Sequence, residues 1–78
     1  MEENKQEILN LLLKALQQTR AGDNIVRLEY EKFPDTDDAY VHVINKDKPD
    51  RPEYEWLKVN VTGDSGIAMI RDVCEKIH

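Results

Sequence analysis

Residues 53–61 read Glu-Tyr-Glu-Trp-Leu-Lys-Val-Asn-Val. In an extended chain, successive side chains point to opposite faces. Leu57, Val59 and Val61 then share one face, and Tyr54, Trp56, Lys58 and Asn60 share the other. An aliphatic side paired with an aromatic and polar side is the pattern of a strand that covers a core with one face only. The spacing therefore predicts a strand from Glu53 to Val61 in an antiparallel sheet with one open side.

The flanking sequence supplies the rest of that sheet and its cover. Upstream, Ala39 to Asn45 alternates Val41 and Val43 against Tyr40, His42 and Ile44. Asn24 to Lys32 alternates Val26, Leu28 and Tyr30 against Ile25, Arg27, Glu29 and Glu31. The segment between them, Phe33-Pro34-Asp35-Thr36-Asp37-Asp38, is turn chemistry, because Pro34 lacks a donor and aspartates bond their own backbone. Lys46 to Pro52 carries two prolines and is too long for a tight hairpin.

Helical periodicity brackets the three strands. Ile8, Leu9, Leu12, Leu13 and Leu16 recur at steps of three and four, which predicts a helix from residue 3 to about 20. Leu11 and Ala15 widen its apolar arc beyond what one sheet needs, so Leu11 or Leu13 is placed either in the small fold's own core or against a second molecule. Ala21-Gly22 ends this helix, with Gly22 expected in a left-handed cap. A second helix is predicted from about Asp64 to Ile77, with Ile67, Ile70, Val73, Cys74 and Ile77 as its stripe and Asp64 or Ser65 as its cap.

The expected fold is therefore α+β. It is one domain over residues 1–78, ordered α-β-β-β-α, with a three-stranded antiparallel sheet and both helices packed on one face. A chain this short buries only ~60% of its unfolded surface, so each large apolar side chain counts.

The net charge of −5 is localised. Residues 23–55 hold ten acids and five bases, while the segments on either side are balanced. Glu29, Glu31, Asp35, Asp37 and Asp38 form an acidic edge that repels nucleic-acid phosphate and attracts basic partners. Cys74 is the sole cysteine, so neither an internal disulfide nor a cysteine-based metal site can form. No signal peptide and no long apolar run is visible, which places the expected protein in the cytoplasm and off the membrane.

No constellation supports chemistry. Gly63-Asp64-Ser65-Gly66 resembles the nucleophile segment of trypsin-like proteases over four residues, but a turn and helix cap explain it without the rest of a triad. Asp35, Asp37 and Asp38 lack the spacing and closing glutamate of a calcium loop. His42 stands without a nucleophile or second ligand, and His78 is the last residue. The reading is no enzyme, no cofactor and no metal. What remains is the open face. There Trp56, Tyr54, Tyr40 and His42 are candidate anchors for a protein partner, and Arg27 and Lys58 are its basic residues. The rival reading of those aromatics is cross-strand pairing alone.

The order of elements resembles that of the double-stranded-RNA-binding domain, which implies an RNA-binding module as one alternative. That family reads RNA through basic residues at the start of its second helix, and Asp64, Ser65, Gly66 and Ile67 stand there instead. Size, element order and the acids from Glu29 to Asp38 also resemble small acidic accessory proteins of phage and mobile elements, including anti-CRISPR nucleic-acid mimics. That resemblance implies a small regulator or inhibitor that binds a basic protein. A two-fold homodimer through the helical stripe or the sheet face is a further alternative.

Overall fold

The structure, a computed structural model, describes residues 4–77. Its elements are α1 (Lys5–Leu16), β1 (Ile25–Lys32), β2 (Ala39–Asn45), β3 (Tyr54–Asn60) and α2 (Gly66–Ile77). The strands form one antiparallel sheet in the order β1-β2-β3, so β2 is central and the other two are edges. Both helices pack on one face: α1 lies along β1, α2 against β3, and the helices touch each other.

Each helix begins where a side chain can accept a free amide proton. Asn4 Oδ1 accepts from the Glu7 amide at 3.1 Å, and Ser65 Oγ accepts from the Ala68 amide at 3.2 Å. α1 stops at Leu16, short of the expected residue 20, and residues 17–24 wind through turns. Gly22 does not take the left-handed conformation expected of it, since Gly63 is the glycine with positive φ, at 76°. Gly22 is instead required by proximity: a Cβ there would lie 2.5 Å from the Leu16 carbonyl oxygen.

The core lies between the helices and the sheet. Leu9, Val41, Val43, Met69 and Val73 are fully buried, with Ile25, Leu28, Val59 and Val61 nearly so. One apolar expectation fails, on the second helix. Met69, not Ile67, carries the second helix's contact with Val73 and Ile77, and Ile67 is 82% exposed. At about 100° per residue, Ile67 lies about 120° from the middle of the arc that Met69, Val73 and Ile77 bury, on the side turned away from the core. On α1, Leu13 packs against the core and Leu11 is left 66% exposed.

Two bulges set the rest. On β1, Ile25 pairs with Asn45 and Arg27 with Ile44, so Val26 is an extra residue. On β3, Leu57 pairs with Val43 and Glu55 with Ile44, so Trp56 is an extra residue. Each extra residue reverses the alternation beyond it. Ile25, expected outside, is therefore in the core. Tyr54, expected on the open side, is opposite Asn45 and turned toward the helix side.

The two sheet edges differ. The Gln6 side chain donates to the Leu28 carbonyl at 2.7 Å and accepts from the Tyr30 amide at 2.9 Å. Gln17 donates to the Ile25 carbonyl at 2.9 Å. Gln6 of α1 and Gln17 just past its end thus occupy backbone groups along the outer edge of β1, which would otherwise be open to another strand. β3, by contrast, carries the Trp56 bulge and the charged Lys58.

Candidate functional site

With both helices on one side, the opposite side of the sheet has no helical cover among the described residues. Register assembles it. Glu29, His42 and Lys58 lie abreast across the three strands; Arg27, Ile44 and Glu55 form the next row; and Glu31, Tyr40 and Asn60 form the row on the other side. These residues meet because odd positions of β1 and even positions of β2 face outward together.

His42 is the centre of this face. Its Nε2 lies 2.9 Å from Glu31 Oε1, and its Nδ1 contacts Glu55 Oε1. The ring thus bridges a carboxylate on each edge strand. Burial disfavours the charged ring, but the hydrogen bonds to Glu55 and Glu31, with the Coulombic pull of both carboxylates, outweigh it and raise the pKa above the ordinary 6.5. Glu29, Glu31, Ile44 and Glu55 line an open hollow of about 410 Å³ beside the ring. Ile44, expected on the surface, is only 8% exposed and contributes to the hollow's wall.

Charge on this face is arranged in short chains. Arg27 pairs with Glu29 at 3.1 Å and with Glu53 at 3.0 Å. Lys58 Nζ stands 4.4 Å from the centroid of the Tyr40 ring, and Phe33 meets that ring edge-on at 6.0 Å. Lys32 pairs with Asp37 at 3.5 Å in the β1–β2 turn, while Asp35 is exposed and Asp38 half-buried there. Asp37 takes a left-handed φ of 64°.

The proposed anchors do not form one cluster. Tyr40 belongs to a stack with Phe33 and Lys58 near the first turn. Tyr54 is at the far end of the sheet, where its hydroxyl donates to Asp47 Oδ1 at 2.9 Å and is 41% exposed as a residue. Trp56 occupies the β3 bulge, 39% exposed. The cross-strand partners of Tyr40, His42 and Tyr54 are Asn60, Lys58 and Asn45, so aromatic pairing across strands does not account for these residues.

Two participants carry no signal in the sequence. Glu55 falls on the aliphatic side by simple alternation, and only the bulge at Trp56 brings it outward. Phe33 stands in turn sequence, and its exposure of 38% beside Tyr40 has no periodic signature. Among the described residues, no group of three or more histidine, cysteine, aspartate or glutamate side chains is arranged to hold a metal ion, and no helix is long and apolar enough to cross a membrane. His78 lies outside the described residues.

No protein-family model, no curated protein and no solved structure matches the chain.

Proposed function

We propose that the protein is a non-enzymatic interaction module, a small regulator or inhibitor in kind, that engages a basic protein through its uncovered sheet face. One observation carries this reading. Glu29, Glu31, Glu53 and Glu55 are held beside one another across the face, next to an exposed Trp56 on an edge strand. Arg27 and Lys58 offset half of those four charges. A concentration of carboxylates with an exposed aromatic is the chemistry of a surface that steers and then anchors a cationic protein. A phosphate backbone would meet the same carboxylates as repulsion.

Affinity capture on the immobilised protein tests this reading. A partner rich in lysine and arginine, held by the wild type and weakened by ~2 kcal/mol or more in Trp56→Ala, is the expected result for an anchor residue. Glu31→Gln/Glu55→Gln should weaken the same partner and flatten the salt dependence of binding. A partner retained equally by all of these variants would contradict the assignment.

Self-association has an observation of its own, the exposure of Leu11 and Ile67 on the outer sides of the two helices. Light scattering over a range of concentrations decides it. A mass of 9.1 kDa throughout would exclude the dimer.

A further inference from the structure

His42 stands on the central strand with charged groups on both sides. From β1 it faces Glu29 directly across and Glu31 on the diagonal; Arg27, one row away, is engaged by Glu29 and Glu53. From β3 it faces Lys58 directly across and Glu55 on the diagonal, and Lys58 lies over Tyr40. No helix covers this side, so these groups make up its charged surroundings among the described residues.

Both ring nitrogens point at carboxylate oxygens. An ionised carboxylate only accepts, and a neutral imidazole has one N–H and one lone pair. Only the imidazolium can donate to Glu31 and Glu55 together. A neutral ring keeps one of those bonds and sets its lone pair against the other carboxylate. The nearby cations are already engaged, Arg27 by two glutamates and Lys58 by an aromatic ring, so neither stands free to replace the lost proton.

We infer that His42 is a proton-dependent clasp across the open face: charged, it ties Glu31 of β1 to Glu55 of β3, and neutral, it releases a carboxylate and leaves the face one unit more negative. The direction of the pH effect follows from the raised folded pKa. The clasp stabilises the fold fully below the ordinary histidine pKa of 6.5 while the glutamates stay ionised, and that stabilisation is lost as pH rises through the folded value. The consequence for binding rests on the reading of this face as a docking surface: a basic partner gains the released carboxylate as pH rises.

The test is an NMR titration of the histidine ring in the free protein, with His42→Gln used to assign its signals. The expected midpoint lies above 6.5, with both ring nitrogens protonated below it. Glu31→Gln and Glu55→Gln should each shift the midpoint downward, and the double variant further than either. Amide spectra that overlay on the wild type, apart from residues near the substitution, show that the fold is kept. A wild-type midpoint at or below 6.5, or one unmoved by both substitutions, would overturn the clasp. Because no partner is present, this result stands apart from the docking reading. A clasp that titrates as expected while affinity for a captured basic partner stays flat across the same pH range would overturn the binding consequence alone.

Discussion

The two faces of the sheet are made of the same three strands and do opposite things. On the helix side, Leu28, Val41, Val43 and Val59 meet Leu9, Met69 and Val73, and these side chains are buried completely or nearly so. On the other side, the ordered contacts are ionic or aromatic, and most of the charged side chains in them are about 40–50% exposed. Burial of apolar area contributes roughly 25 cal/mol per Å², whereas exposed ion pairs contribute about 0–1 kcal/mol each. The difference teaches where stability resides. The covered face holds the molecule together, and the open face is ordered without contributing much to that task, which leaves it available for contact.

Substitutions on the two faces should therefore separate cleanly. The largest effect is expected at Leu9, which is fully buried. Leu9→Ala should cost ~2–5 kcal/mol in denaturant unfolding, a large share of the stability of a domain this small. Next comes the edge of the covered side. Gln6 forms two hydrogen bonds with β1 backbone groups, and Gln6→Ala should cost ~1–3 kcal/mol by leaving them unpaired. That variant should also exchange the Tyr30 amide proton faster, as read by hydrogen exchange.

Smaller stability effects belong to the open face. Trp56→Ala should change unfolding free energy by less than about 1 kcal/mol, since the bulge residue is partly exposed and outside the core cluster. A loss as large as that at Leu9 would break the comparison, because it would make Trp56 a structural residue. The smallest expected effect is at His42, and it depends on pH. His42→Gln should lower stability below pH 6.5 while the glutamates stay ionised, and the difference from the wild type should shrink as pH rises past the raised folded value, following the direction of the His42 shift.

How far the sequence carries can be judged from particular residues. The five elements and their order follow from apolar periodicity and turn residues, and β2 spans Ala39–Asn45 as alternation predicts. The sidedness of Leu57, Val59, Val41, Val43 and Leu28 is legible for the same reason. Past Val26 and Trp56 it is not, because neither bulge is marked by a glycine and each reverses the parity that alternation relies on. Ile25, Tyr54 and Glu55 are misplaced by those two residues alone. Gln6 and Gln17 stand outside the apolar periodicity of the first helix, and their contacts with β1 exist only once the helix is laid along the strand. The Glu31–His42–Glu55 bridge needs all three strands in register and could not be found from spacing.

The central claim is that the open face, rather than the helical surface, meets the partner. Its most direct test is the spectrum of the ¹⁵N-labelled protein as a captured partner is added. Trp56 is the sole tryptophan, so its indole N–H is a single unambiguous reporter beside the backbone amides. The account predicts that the Trp56 indole and the amides of Glu29, Glu31, His42 and Glu55 shift or broaden first, while Leu11 and Ile67 hold still. Movement at Leu11 and Ile67 with the sheet residues unchanged would contradict it.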